Sequence, residues 1–313
     1  MAALAAAVAS VDVDGIARCS AVRDLLPALD MAVSFARYWQ EPDEDDLALH
    51  SALLARVLRP VADAVAAAPA ADWWSDPLDR ADQWHVRWRP DDETALRPAD
   101  GDAPRLLAQW RQRADEAEAR ATRDTPADPT APYSGSWWST PALSGLTATT
   151  RSVPDGSRAP LGLLVLEDFL GESTAEVGQV VVSPAARVYE VDGPGDWLEL
   201  ARRYPSDVTA SRRHDWYRTT GWTGRWVLPD WAAVAADWDG VHVSVATYLA
   251  TAGRLLPLAP EGGAAATLLA GWGPDETWWL TDAATSAGSA TRWTSLRDEP
   301  LSWTPVPSAA SPD

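Results

Sequence analysis

The chain has 313 residues, 46% hydrophobic and 23% charged, and is long enough to bury one or two cores. All 26 basic residues are Arg, and Lys and Asn are absent, so Lys-dependent phosphate loops, Schiff-base chemistry and N-glycosylation are excluded. A single Cys excludes an internal disulfide and a Cys-cluster metal site. The net charge of −19 argues against binding to bulk nucleic acid or an anionic membrane.

No run of about 18 uncharged apolar residues occurs in the sequence, so no membrane span is predicted. The apolar residues at the start have no basic leader, since the first base is Arg18. We therefore expect a cytoplasmic protein.

Residues 1–121 are predicted to be mainly helical. Leu, Val and Ala recur at three- and four-residue spacings over 21–38 and 47–67, and a more polar helix is expected at 103–122. Residues 83–89 differ, because Trp and Val alternate there with His and Arg. That alternation is typical of a half-buried strand.

The second half is predicted to be led by strands. Short runs rich in Val and Leu predict strands at 161–166, 177–182 and 187–191. Two similar segments, beginning Asp196-Trp197 and Asp230-Trp231, predict amphipathic helices that pack on the sheet through their Trp side chains.

These patterns together predict an α+β protein with an N-terminal helical region followed by a mixed β-sheet with packed helices. Its predicted parts are a helical region at 1–121, a Pro-rich linker or surface loop at 122–136, a strand-led α+β domain at 137–299 and a disordered tail at 300–313. The candidate site lies in the third part.

Residues 201–226 form a basic segment in an acidic chain. They contain six Arg and two Asp, interleaved with Tyr and Trp. Guanidinium groups bind phosphate or carboxylate oxygens in pairs, and aromatic rings stack on flat ligands. We predict that a small anionic or nucleotide-like ligand, with NAD as the candidate cofactor, binds Arg212, Arg213, Arg218, Trp216 and Tyr217. The alternative is that these arginines pair with internal carboxylates while the rings fill the core.

Three titratable residues are candidate catalytic groups. His214 lies within the basic segment and is suited to proton transfer. Asp239 lies at a predicted helix-to-strand corner. Glu276 lies at the mouth of a predicted late strand, where a carboxylate can stabilise a developing positive sugar centre. The alternatives are a surface-loop role for the histidine and capping or turn roles for the two acids.

His242 and Ser244 complete the predicted substrate-binding set. A strand at 241–245 would place both on one face, opposite three Val, where they line a groove or face solvent. The four His are not at metal-ligand spacings, so no metal site is predicted.

The sequence thus predicts an enzyme of glycosidic transfer or hydrolysis on a nucleotide-like substrate, with chemistry like ADP-ribosyl transfer. The alternative is a non-enzymatic protein-binding or immunity-type protein with a Trp- and Arg-rich surface. A concave pocket around the arginines favours the first function, and a flat aromatic patch favours the second.

Overall fold

The structure is a computed structural model that describes residues 2–36, 40–49, 51–88, 102–167, 171–259, 264–295 and 301–307. Its helices are α1 (Ala2–Ala9), α2 (Val13–Ala17), α3 (Val22–Ser34), α4 (Glu44–Leu49), α5 (Ala52–Ala67), α6 (Ala103–Asp124), α7 (Leu161–Leu164), α8 (Pro194–Arg203), α9 (Thr209–Thr220), α10 (Trp231–Asp237) and α11 (Val245–Thr251), with a 3-10 helix at Pro69–Ser75. None of the helices within these ranges is long and apolar enough to cross a membrane.

The strands are β1 (Gln83–Trp88), β2 (Ala148–Thr150), β3 (Thr174–Val182), β4 (Val188–Val191), β5 (Pro205–Asp207), β6 (Arg225–Pro229), β7 (Gly240–Val243), β8 (Leu256–Pro257), β9 (Ala265–Thr267), β10 (Glu276–Trp279), β11 (Ala284–Ser286), β12 (Thr291–Thr294) and β13 (Thr304–Pro305). In the described part of the chain, nine strands form a mixed sheet in the order β13-β12-β3-β1-β2-β10-β7-β4, with β11 also paired to β3. A smaller sheet has the order β5-β6-β9-β8. The predicted α+β class is confirmed.

The predicted strand at 83–89 has a central place in the large sheet. As β1 it pairs with β2 on one side and with β3 on the other, so the N-terminal region contributes a strand to the sheet of the second half. The domain boundary after residue 121 stays a prediction, but the chain on both sides of it shares one sheet.

The two predicted Asp-Trp helices pack as expected. Trp197 of α8 and Trp231 of α10 are fully buried, and their ring centroids lie 6.1 Å apart. Trp272 completes the cluster at 6.1 Å and 6.0 Å from the two rings. Such offset aromatic contacts bury large apolar areas. Asp230 caps α10 by accepting hydrogen bonds from two backbone N–H groups, whereas α8 has no side-chain cap.

Three predictions of secondary structure are corrected. The run at 161–166 begins with the short helix α7 and is not a strand, because short apolar runs suit either structure. The run at 47–67 is two helices, since Ser51 starts a new one by accepting a hydrogen bond from the Leu54 N–H at 3.2 Å. The tail predicted to be disordered at 300–313 includes β13, which pairs with β12, while residues 308–313 lie outside the described residues.

Candidate anion-binding pocket

The core of the basic segment is the helix α9. Its N-terminus is fixed by Glu118 of α6, whose carboxylate accepts hydrogen bonds from the N–H groups of Ala210 at 2.6 Å and Ser211 at 2.9 Å. Its C-terminus is Gly221, which adopts the left-handed conformation at φ 69° that favours glycine. Because α9 is a helix, its charged side chains lie on different faces and contact different parts of the protein.

Most of these side chains bind residues 127–137, a segment without regular secondary structure that we call the strap. Arg213 donates to the carbonyl of Ala127 at 3.1 Å, and Arg218 donates to that of Tyr133 at 2.8 Å. Gly135 passes so close to α9 that a Cβ there would lie 2.9 Å from the Ser211 carbonyl oxygen. Most residues of the segment predicted as a linker or surface loop at 122–136 are exposed, and these contacts attach it to α9 at the surface.

The buried Asp215 and Trp216 complete the attachment of the strap. The Asp215 carboxylate accepts hydrogen bonds from the Ser134 hydroxyl at 2.8 Å and from the Gly135 N–H at 2.7 Å, and it pairs with Arg218. The Trp216 indole donates to the Trp137 carbonyl at 2.7 Å, and its ring packs on Trp226. Trp216 is fully buried, whereas Tyr217 is partly exposed.

His214 lies under the strap, against the ring of Tyr133, with centroids 4.9 Å apart. It is buried, and burial together with the charge of Arg213 lowers its pKa. The imidazole is therefore neutral at neutral pH. The structure thus places His214, Arg213 and Arg218 on the strap side of α9.

Arg212 has a different environment, because it lines a pocket of about 230 Å³. This pocket, which we call the α6–α9 pocket, is bounded by α6, by residues 136–143 and by β5, β6 and the start of α9. Of the residues predicted to form the site, Arg212 alone is among the described lining residues. The others in the lining are Trp110, Arg111, Arg113, Ala114, Ala117, Arg120, Ser136, Trp138, Thr140, Ala142, Leu143, Ser206, Val208, Ser211, Leu228 and Pro229.

The charge of this lining is one-sided, since the described lining residues include four Arg and no Asp or Glu. Arg111 is neutralised by Asp115 and Asp230, and Arg120 lies 3.8 Å from Glu116. The other two, Arg113 and Arg212, form no ion pair with a described carboxylate. Two arginines of the pocket therefore lack a counterion in contact within the described structure.

Arg212 is the more shielded of these two arginines. Its Nε donates to the Trp138 carbonyl at 3.2 Å and its Nη1 to the Ser211 hydroxyl at 3.1 Å. Burial lowers the pKa of Arg212 to about 10, although Glu118 and Asp215 nearby act in the opposite direction. The side chain is still charged at neutral pH. Arg113 is exposed and donates to the Leu143 carbonyl at 3.1 Å.

The spacing of residues along α6 is a sequence signal for the α6 wall of the pocket. Trp110, Arg113, Ala114, Ala117 and Arg120 follow helical spacing and therefore lie along one face. The small side chains of Ala114 and Ala117 lie between larger ones on this face. They leave space for a ligand next to the guanidinium groups of Arg113 and Arg120. The contact between α6 and the start of α9, which closes this space, joins residues about 90 positions apart.

His242 is not in a groove or facing solvent, as we expected, but buried at 1% exposure in the large sheet. Its Nδ1 lies 2.6 Å from a Glu190 carboxylate oxygen and its Nε2 lies 3.4 Å from one of Asp275. Burial lowers the pKa of His242, but the hydrogen bonds and charges of Asp275 and Glu190 outweigh it and raise the pKa to about 9. A charged imidazole thus joins β7 to β4 and to the residue that precedes β10, and neither carboxylate was predicted as its partner.

Ser244 is not on the strand with His242, because β7 ends at Val243. Its hydroxyl accepts a hydrogen bond from the Thr247 N–H at 3.2 Å and caps α11. Asp239 precedes β7 and binds both the backbone N–H and the guanidinium of Arg187, at 2.7 Å and 3.3 Å. Burial raises the pKa of Asp239, but these hydrogen bonds and one from Thr281 outweigh it and lower the pKa.

Glu276 begins β10 and lies opposite Val243, so its side chain points away from the sheet face that carries His242. Its carboxylate accepts hydrogen bonds from the Gly273 N–H at 2.9 Å and the Trp278 indole at 3.0 Å. Burial of the carboxyl group raises the pKa of Glu276 to about 7, against the effect of those two donors. The catalytic roles of Glu276, His214 and Asp239 stay predictions, and the structure does not bring the three together.

Within the described ranges, no group of three or more His, Cys, Asp or Glu is arranged to hold a metal ion. The chain matches no protein-family model, no curated protein and no solved structure. Its function is therefore inferred from the geometry of the chain itself.

Proposed function

We propose that the protein binds a small anionic ligand in the α6–α9 pocket. The observation that carries the proposal is the pocket's charge: four Arg and no acid among the described lining residues, in a chain with 45 acids and 26 bases. A shielded guanidinium without a contacting counterion is unfavourable, and a bound anion compensates it through charge-assisted hydrogen bonds. Arg212 is the residue expected to make these bonds.

The nucleotide-like ligand predicted from the sequence belongs to this class of anions. Of the binding residues predicted with it, we retain only Arg212. Arg213 and Arg218 are not among the described lining residues, and Trp216 is buried, so we assign ligand contact to Arg212 and add Arg113 from α6. Glycosidic transfer by Glu276 stays a hypothesis, because Glu276 is not among the described lining residues. A protein-binding function has no comparable observation in its favour.

Replacing Arg212 tests the proposal. Inorganic phosphate, AMP and phenyl phosphate are titrated while the melting temperature is followed, since a ligand at a hundred times its Kd stabilises by about 2.7 kcal/mol. We expect a rise in the native protein that is lost in R212Q and retained in part in R212K, which keeps the charge.

The matched control is R213Q, in which the neighbouring guanidinium that faces the strap is removed. It should lower the melting temperature of the free protein slightly and leave the ligand-induced rise intact. An undiminished rise in R212Q, or no rise in the native protein with any anion, overturns the proposal.

A further inference from the structure

We infer that the ligand is amphipathic, with one carboxylate or phosphate head joined to an apolar body about the size of one ring. This inference rests on the proposed function, which requires only an anion, and adds the polarity and size of the rest of the ligand. It follows from the apolar part of the lining, which phosphate or sulfate would leave unused.

More than half of the described lining residues are apolar. On α6, Trp110, Ala114 and Ala117 follow at intervals of four and three residues and so lie on one side of the helix. Trp138 and Leu228 come from the segment after the strap and from β6. Apolar and aromatic side chains with a few placed polar groups are the usual composition of a pocket for an organic ligand.

Polar groups are concentrated near Arg212. The Ser211 hydroxyl accepts a hydrogen bond from Arg212, and Ser136, whose N–H donates to the Ser211 carbonyl at 3.3 Å, also lines the pocket. The Ser211 hydroxyl itself donates to the Val208 carbonyl at 3.3 Å, so the hydroxyl donor left for a head group beside Arg212 is that of Ser136. Arg113 and Arg120 are exposed, which suits attraction of an anion from solvent.

The volume limits the size of the ligand. About 230 Å³ lies below the roughly 300–1,000 Å³ of pockets that enclose drug-sized ligands. A single ring with one head group is compatible with that space, whereas a whole dinucleotide such as NAD would extend far outside it. The volume of the pocket therefore favours a compact anion over NAD, the cofactor that the sequence predicts as a candidate.

Calorimetric titration of the native protein tests the inference, with phenyl phosphate, inorganic phosphate and NAD as probes. Burial of the ring should make phenyl phosphate bind at least about tenfold more tightly than inorganic phosphate. NAD should bind no more tightly than phenyl phosphate. A117L, which fills the apolar part of the pocket, should weaken phenyl phosphate by about tenfold or more.

The control for A117L is A119L, because Ala119 is an exposed residue of the same helix and is not among the described lining residues. It should bind phenyl phosphate like the native protein. Equal affinities for phenyl and inorganic phosphate, or equal effects of A117L and A119L, overturn the inference while leaving anion binding in place. If the native protein binds none of these anions, the proposed function itself is wrong.

Discussion

At the scale of single residues, His242 shows why burial and charge must be considered together. An imidazole removed from water ordinarily loses its proton more readily, yet two carboxylates in contact reverse that effect here. Asp275 is itself held by the backbone N–H of Arg151 at 2.9 Å, and Glu190 by that of Leu78 at 3.3 Å. The imidazolium is therefore part of a positioned network that links the sheet to the chain covering it.

This network predicts a pH dependence of stability. The folded-state pKa of His242 is about 9, above the ordinary value of 6.5, so its contribution is complete below about pH 6.5 and is lost as the pH rises through 9. The difference corresponds to about 3 kcal/mol. Urea unfolding should give the native protein a larger free energy of unfolding than H242Q at pH 6.5. This difference should be lost by pH 9.5. A difference independent of pH would contradict the charged network.

At the scale of elements, α6 and α9 are joined by the carboxylate of Glu118. Two N–H groups in the first turn of α9 donate to it, and helix N-termini favour negative charge there. The contact orients α9 so that Arg212 lines the pocket while Arg213 reaches the strap. Arg212 and Arg213 face different neighbours because successive residues of a helix point in directions about 100° apart.

Replacing Glu118 by Gln should lower the free energy of unfolding by about 1–2 kcal/mol, since it weakens charge-assisted bonds to a helix N-terminus. The control is E116Q on the same helix, whose partner Arg120 lies at 3.8 Å and largely in solvent; it should cost less than about 0.5 kcal/mol. Because the charge of Glu118 acts on Arg212, E118Q should also bind anions at least as tightly as the native protein. Equal losses in both variants would contradict the capping role.

The elements that the sequence predicted well are those with a local cause. The alternation at 83–89 is β1, and the Asp-Trp starts are the helices α8 and α10. The charge of the basic segment predicts a ligand site but no secondary structure, whereas Gly221 and the preceding run without Pro or Gly indicate a helix that ends there. What the arginines bind depends on the strap, and the partners of His242 lie 52 and 33 residues away. No local pattern encodes such contacts.

At the scale of the whole molecule, the distribution of charge is as informative as its sum. A net charge of −19 repels anions from most of the surface, while the described lining of the α6–α9 pocket carries only positive charge. We therefore expect the acidic molecule as a whole to repel a large polyanion, whereas a small anion can reach the arginines of the pocket. The overall composition and the local geometry therefore both support our proposal of a ligand of low molecular mass.

The position of β1 leads to a prediction about the predicted domain at 137–299. Six residues of β1 pair with β3, from Gln83 opposite Val180 to Trp88 opposite Ala175, and β1 also pairs with β2. Without β1, β2 and β3 would each expose an unpaired edge, and a fragment of residues 137–299 would also lack α6, the wall of the pocket.

Residues 137–299 expressed alone should therefore show no cooperative thermal unfolding and no response to phenyl phosphate. Co-expression of 1–124 with 125–313 should restore both, because the broken connection lies at the end of α6. Cooperative unfolding of the isolated 137–299 fragment would show instead that the domain predicted from the sequence folds without β1.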